Sequence, residues 1–176
     1  MIKDVTNPLN IIPETMRSLM LSLILFTVFF LPACELADVN KANVVPIDEK
    51  KMLDLVNKLR AEGCMCGSTY MPPVDKLEWD DEIERAAIAH SVDMNENGYF
   101  SHTSLDGSSF SDRISGTAYE GSPGGENIAV GYTSEEAVFN GWKNSEGHCK
   151  NMMNGSFTDI AVGRSGDYWT MDFGRK

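Results

Sequence analysis

The sequence lacks the basic clusters that many binding proteins carry. Its 176 residues hold 15 Lys and Arg against 26 Asp and Glu, a net charge of −11, and the basic residues are scattered along the chain. Binding to nucleic acid, or to an anionic membrane by charge alone, depends on such clusters. Neither partner is expected, and the acidity is most simply related to solubility.

The chain also lacks an apolar run long enough to cross a bilayer as an ordinary helix, which takes about 20 residues. Its longest run, residues 19–30, follows Arg17, as in a secretory signal peptide. The run ends in Leu-Pro-Ala-Cys at residues 31–34, which resembles the bacterial lipobox. We therefore expect residues 1–33 to be a lipoprotein-type signal peptide and Cys34 to be lipidated, giving a membrane-anchored envelope protein. An ordinary cleaved signal would give a secreted protein. Residues 34–46 are polar and predict a flexible tether.

Two common catalytic motifs are missing as well. The sequence has no Gly-x-Ser-x-Gly nucleophile elbow and no His-Glu-x-x-His zinc-protease motif. There are only three histidines. His90 lies within a predicted helix beside alanines, which indicates a packed or hydrogen-bonded residue. His102, Glu126 and His148 follow or precede predicted elements, where sites are commonly assembled, but their spacing does not show that they meet. Arg113 is expected to pair with one of the many acids in a surface or loop role.

Residues 47–176 carry the patterns of a folded domain. Apolar spacing and capping residues predict three helices: one from 47 to Gly63, one after the N-cap Asp80 to Gly98, and one after Ser134 to about 144. Residues 64–73 predict a loop, and residues 101–125 a long loop with a short helix at 110–114. Strands are predicted at 127–131, 159–164 and 168–173. Helices around a short, mostly antiparallel sheet make an α+β domain.

Three segments carry a family resemblance. Phe100–His102, Gly125–Ala129 and Trp142–Met153 resemble, in order, the signature segments of the bacterial, SCP-like extracellular proteins of the CAP superfamily. This superfamily is named for cysteine-rich secretory proteins, antigen 5 and pathogenesis-related proteins. The likeness covers residues 47–176, so we predict one CAP/SCP domain there. It implies a three-layer α-β-α sandwich with a short, mostly antiparallel central sheet.

The resemblance also implies a cleft that contains His102, Glu126 and His148. Glu146 stands where bacterial relatives commonly have proline, so it either adds a fourth polar wall to this pocket or points to solvent. Two imidazoles and a carboxylate can hold a divalent metal such as zinc and leave one position open for water. Without metal, the same groups form a polar network that can bind a polar ligand.

The cysteines Cys64, Cys66 and Cys149 remain after Cys34 is set aside. Relatives with a similar Cys-Gly and Gly-His-Cys pattern imply a Cys66–Cys149 disulfide, which would fix the residue next to His148. Cys64 either competes for Cys149 or stays a thiol. A metal site made of Cys-x-Cys and a histidine is the alternative.

These observations favour an exported binding module for a divalent metal or a polar, envelope-associated ligand, rather than an enzyme. The alternative is a hydrolase of envelope polymers or peptides that uses metal-activated water or a His/Glu pair. A surface interaction protein, with the pocket left over from an ancestor, is the third hypothesis. No catalytic residue is assigned.

Overall fold

The computed structural model describes residues 43–176, so the predicted signal peptide, Cys34 and most of the tether lie outside the described residues. Among residues 43–176, no helix combines the length and the apolar character needed to cross a membrane. In chain order the elements are α1 (Glu49–Glu62), β1 (Cys64–Cys66), β2 (Thr69–Met71), β3 (Glu78–Trp79), α2 (Asp81–Asn97), α3 (Phe110–Ser115), β4 (Ser122–Val130), α4 (Glu135–Asn144), α5 (Glu146–Met152), β5 (Asp159–Ser165) and β6 (Tyr168–Arg175).

The predicted helix ends agree with the structure. The Asp80 carboxylate accepts hydrogen bonds from the backbone N–H groups of Glu82 and Ile83 at the start of α2. The same helix ends at Gly98, whose φ of 66° lies in the left-handed region that glycine adopts without strain. Ser134 caps α4 in the same way as Asp80 caps α2. Local capping chemistry is therefore sufficient to define these helices.

The main sheet has the strand order β3-β5-β6-β4. β3 pairs in parallel with β5, whereas the β5–β6 and β6–β4 pairs are antiparallel. The prediction of a mostly antiparallel sheet is confirmed. β4 begins at Ser122, earlier than the predicted strand, because Ser122 pairs with Arg175 at the end of the long β6. Pairing with a partner strand thus overrides the low strand propensity of this Ser- and Gly-containing stretch.

Helices cover both faces of this sheet, as the α-β-α prediction requires. One face packs the side chains of Ile160 and Val162 into a core with α1, α4 and α5. The opposite face packs Ala161 against Ile83 of α2 and Ile114 of α3. Alternate residues of β5 therefore serve the two layers.

Three local predictions need correction. Residues 64–73 are not a plain loop, because β1 and β2 form an antiparallel hairpin within them. His148 lies inside a separate helix, α5, rather than beyond the last helix. Residues 43–46, predicted as part of the tether, also contact the sheet, since Val44 pairs with Ser165 and the Asn43 carbonyl accepts a hydrogen bond from the Gly166 N–H. The last two features depend on contacts distant in sequence, whereas the hairpin is a local pairing across the Gly67 turn.

Candidate functional site

Glu126 lies on β4, the edge strand of the sheet, directly opposite Asp172 of β6. Its side chain is only 1% exposed. Both carboxylate oxygens are engaged: Oε1 accepts a hydrogen bond from His102 Nδ1 at 2.6 Å, and Oε2 accepts one from the Arg113 guanidinium. Glu126 is therefore a buried anion held between two donors.

His102 presents the accessible part of this arrangement. Its side chain is 55% exposed, and its Nδ1 is committed to Glu126. A carboxylate on one ring nitrogen fixes the tautomer and leaves the other nitrogen, Nε2, free to accept a proton or bind a ligand. The His102–Glu126 pair therefore offers one oriented, basic nitrogen at the surface.

His148 lies near His102 on the first turns of α5. The Asn127 side-chain amide donates a hydrogen bond to the His148 carbonyl at 3.1 Å, which joins α5 to β4. Burial lowers the pKa of His148, and the charge of the nearby His102 lowers it further. His148 is thus held towards its neutral form, the form of imidazole that binds metals.

A groove of about 280 Å³ runs from His148 along the edge strand. Its walls are mainly apolar and come from Phe100, from the end of β4 and from α4. Phe100 is itself 51% exposed at this surface. His148 therefore lines an open, largely apolar groove.

His90 and Arg113 both lie next to the Oε2 oxygen of Glu126. His90 is fully buried; its Nε2 lies 2.9 Å from the Ser101 carbonyl and 3.9 Å from Glu126 Oε2. Burial lowers the pKa of His90, and the nearby Arg113 adds to the effect. The sequence predicted a packed, hydrogen-bonded His90, and the structure agrees, but its position beneath Glu126 was not expected.

Arg113 is buried rather than a surface residue, with 9% of its side chain exposed. It donates to Glu126, to Ser104 Oγ at 2.9 Å and to the His102 carbonyl. A capping box between Ser109 and Asp112 fixes the start of α3 and so aims the next residue at the site. That Ser-x-x-Asp pattern was the one sequence signal that could have drawn attention to Arg113.

Asp172 is a residue that the sequence did not single out. It is fully buried, and neither of its carboxyl oxygens has a hydrogen-bond partner among the described residues. Burial, followed by the charge of Glu126, raises the pKa of Asp172 well above its usual range. The protonated form is therefore favoured, because two buried carboxylates side by side repel each other. Only the pairing of β4 with β6 brings these two acids together.

Glu146 lies outside this cluster. Its side chain is 52% exposed and pairs with Lys150 Nζ at 2.6 Å, one helical turn away. The position at the start of α5 directs the carboxylate to solvent and to Gly67 of the β1–β2 turn. The choice left open between a pocket wall and solvent is thus decided for solvent, and Glu146 is removed from the pocket residues.

The cysteines meet where α5 contacts the β1–β2 hairpin. Cys66 and Cys149 form a disulfide, as the resemblance implied, and both are fully buried. Cys64 keeps a free thiol whose Sγ lies 3.6 Å from Cys149 Sγ and 3.8 Å from Cys66 Sγ. Burial raises the pKa of the Cys64 thiol, while the nearby Lys143 opposes this effect.

The sequence profile described as "CAP: Cysteine-rich secretory protein family" matches residues 53–173. The chain belongs to the CAP family. In Bacillus subtilis (strain 168) it is 39% identical to the "uncharacterized membrane protein YlbC" over 125 residues and 36% identical to the "uncharacterized protein YkwD" over 127 residues. Each match covers 71% of this chain but only 34% and 46% of the respective relatives. The chain thus spans less than half the length of these two proteins.

Solved structures show a similar fold. An extracellular protein containing an SCP domain from Bacillus anthracis str. Ames is 35% identical, with a TM-score of 0.64 over 73% of this chain and 40% of that one. An outer surface protein from Borrelia burgdorferi is 25% identical, with a TM-score of 0.54 over 72% of this chain and 88% of the other. The α+β CAP fold is therefore established for this chain.

The CAP cleft can be tested for its fit to a metal ion. Among residues 43–176, one group of three or more His, Cys, Asp or Glu side chains has all its ligand atoms within 4.8 Å of one another, and that group is Cys64, Cys66 and Cys149. Glu126 uses both oxygens for His102 and Arg113. The set of His102, Glu126 and His148 is thus not gathered as three free ligands, because Glu126 instead orients the ring of His102.

Proposed function

We propose that this protein is an exported binding module whose CAP cleft holds a divalent metal ion, or a polar envelope-associated ligand, through His102 and His148. The observation that carries the proposal is the 2.6 Å bond between His102 Nδ1 and the buried Glu126 carboxylate, which leaves His102 Nε2 free beside His148. A bound divalent metal would supply positive charge and open coordination positions to a polar ligand. Glu126 would fix the orientation and tautomer of the His102 ring.

Calorimetric titration of the disulfide-intact protein with zinc tests this function. The parent should bind one ion, and the His102→Ala/His148→Ala variant should bind none. Glu126→Gln should weaken binding by roughly 10–100-fold, the usual cost of losing an outer partner of a metal-bound histidine. Glu146→Gln is the matched control, because Glu146 is exposed and bonded to Lys150, and it should bind as the parent does. Equal binding by the parent and the double variant, or no binding by either, would contradict the metal proposal.

Hydrolysis of envelope polymers or peptides is the second candidate, and the same His–Glu bond favours it. An imidazole oriented by a buried carboxylate can act as a general base on water. In this case Glu126→Gln should abolish the release of soluble fragments from isolated cell-wall polymer or from an unfolded protein, while Glu146→Gln keeps it. If the parent releases no fragments with or without zinc, the binding function stands alone.

The protein is held at the membrane of the cell envelope by a lipid on Cys34. The lipobox-like Leu31–Cys34 segment supports this anchor, as do one relative described as a membrane protein and another as extracellular. Metabolic labelling with a radioactive fatty acid should mark the parent, and Cys34→Ser should remove the label and the membrane association. A Cys34→Ser protein that stays labelled would contradict the anchor.

A further inference from the structure

The cluster of Cys64, Cys66 and Cys149 contains one sulfur more than its disulfide needs. Cys64 and Cys66 are two residues apart on β1, so both side chains point to the same face of the strand, towards Cys149 on α5. Met65 between them points outward and is 55% exposed. The hairpin therefore delivers two thiols to one helical cysteine.

The spacing of these sulfurs matches a coordination shell. Two thiolates bound at about 2.3 Å to one tetrahedral ion stand about 3.8 Å apart. Cys64 Sγ lies 3.6 Å from Cys149 Sγ and 3.8 Å from Cys66 Sγ. Opening the Cys66–Cys149 bond would let the Cys66 and Cys149 sulfurs move apart and leave three thiols around one point.

We propose that Cys64, Cys66 and Cys149 form a second, redox-gated site that binds a thiophilic ion such as Zn²⁺ when the disulfide is reduced. Thiolates are the ligands that Zn²⁺ and Cu⁺ prefer over harder ions. Cys64 is half-buried, so the ion enters the cluster from the side of Cys64. The fourth coordination position of the ion stays open to solvent. Lys143 lies near Cys64 and offsets the negative charge of a three-thiolate complex.

The ion is loaded in two steps, reduction of the disulfide and exchange of the thiol protons for the metal. A dithiol reductant supplies two electrons and two protons to the Cys66–Cys149 bond and is itself oxidised to a disulfide. One divalent ion then replaces the three thiol protons, so three metal–sulfur bonds form and three protons pass to the buffer. A disulfide oxidant then takes two electrons from the Cys66 and Cys149 thiolates, takes two protons from the buffer and is reduced to a dithiol. The re-formed Cys66–Cys149 bond removes two of the ligands and releases the ion. The disulfide and the metal therefore exclude each other.

This site is separate from the cleft. It uses no atom of His102 or Glu126, and Cys149 reaches it from the helix that also carries His148. Loss of the cleft histidines should leave the sulfur site intact, and loss of Cys64 should leave the cleft intact. The two sites can therefore be tested independently.

The test is a Cd²⁺ titration of the dithiol-reduced, desalted protein, followed by thiolate-to-metal charge-transfer absorbance. The reduced parent should bind one ion at the sulfur site, with an absorbance that corresponds to three thiolates. Cys64→Ser keeps Cys66 and Cys149 but should lose about a third of the absorbance. Its affinity at the sulfur site should fall by roughly 100-fold or more, since even an outer-shell loss costs about 10–100-fold. His102→Ala/His148→Ala should give the same thiolate absorbance as the parent, because an ion bound in the cleft has no thiolate ligand, and the oxidised parent should not give this absorbance.

Thermal melting of the reduced protein gives a second measurement if reduction loosens the fold. Binding to the folded state raises the melting temperature, so Cd²⁺ should increase the Tm of the reduced parent and restore any helical signal lost on reduction. Equal absorbance and affinity for the parent and Cys64→Ser would overturn the proposal. So would a reduced parent whose Tm and helical signal do not respond to the ion.

Discussion

At the scale of single residues, the charge of Glu126 decides what the cleft can do. The carboxylate is buried, and an isolated buried charge is costly. His102 and Arg113 donate to its two oxygens, while Asp172 on the next strand is favoured in its neutral form. The negative charge of Glu126 and the permanent positive charge of Arg113 thus balance each other next to the exposed imidazole of His102. This balance keeps Glu126 available as the partner of His102.

Replacing Arg113 with methionine should destabilise the protein strongly. Arg113→Met leaves the Glu126 carboxylate without its cation, and breaking a buried pair typically costs about 3–5 kcal/mol. Urea denaturation of the parent and the variant measures the difference. Arg85→Met is the matched control. The exposed Arg85 pairs with Glu82 at the surface, so its replacement should change stability by about 0.5 kcal/mol or less. An Arg113 variant as stable as the control would show that the pair does not support the fold.

Asp172 should make stability fall as pH rises. Its folded pKa is raised by burial and by Glu126, with Arg113 acting in the opposite direction, while the unfolded group keeps a pKa of about 3.9. Above that value the unfolded chain releases a proton that the folded chain retains, so unfolding becomes easier. Asp172→Asn carries no such proton, and its stability relative to the parent should therefore increase between about pH 4 and pH 7. Urea denaturation across this range measures the change, and a constant difference would contradict it.

At the scale of elements, the short helix α5 depends on its neighbours. Its N-cap position, Ser145, makes no side-chain capping bond. The Asn127 side chain binds the carbonyl of His148, and the buried Arg60 donates to the carbonyls of Met152 and Asn154 at the other end. A helix of two turns is marginal by itself, so these contacts hold His148 in place.

The helix α2 packs so closely on β5 that there is no room for a side chain at Gly163. A Cβ on Gly163 would lie 2.2 Å from the Ile88 backbone nitrogen and 2.5 Å from the Ala87 carbonyl carbon. Gly163→Ala must therefore push helix and sheet apart, at a cost of roughly 1–3 kcal/mol or more. Thermal or urea unfolding measures the loss.

Gly147→Ala provides the comparison for Gly163→Ala. Gly147 is a helical glycine in α5 with open space around its Cβ position. Alanine there should be neutral or stabilise the protein by up to about 1 kcal/mol, because glycine is a poor helix former. If both variants unfold alike, the close approach of α2 to β5 does not limit the fold.

At the scale of the whole molecule, the disulfide joins two distant segments of the folded domain. Cys66 and Cys149 are 83 residues apart, and their bond connects the hairpin after α1 to the helix that carries His148. Closing so long a loop contributes on the order of 4 kcal/mol in the chain-entropy model. Cys149→Ser should lose most of this stability. Cys64→Ser should lose little under oxidising conditions, because it leaves the bond intact.

Urea denaturation of the two cysteine variants under oxidising conditions measures this difference. The zinc titration described for the cleft gives a further readout, since a looser α5 should weaken binding at His148 while Cys64→Ser leaves it unchanged. Equal stability of Cys149→Ser and Cys64→Ser would mean that the bond contributes little to the fold.

Local signals predicted the long helices, the final hairpin and the fold class. Asp80, Gly98 and Ser134 act within a few residues of their own position, so the sequence around them contains the necessary information. The helix α5 was missed because the contacts that hold it are long-range. The same holds for the buried position of Arg113, which follows from the docking of α3 against β4.

The sequence alone determined the family and the fold class, implied the disulfide, and led to the proposal of His102, Glu126 and His148 as cleft residues. Only the tertiary structure decided how those residues are used. Strand register sets Asp172 beside Glu126, and the docking of α3 brings Arg113 to the same carboxylate. These contacts turn Glu126 from a free ligand into the partner of His102. The physical reason is that burial and charge pairing arise between segments distant in sequence, whereas capping and periodicity act within one segment.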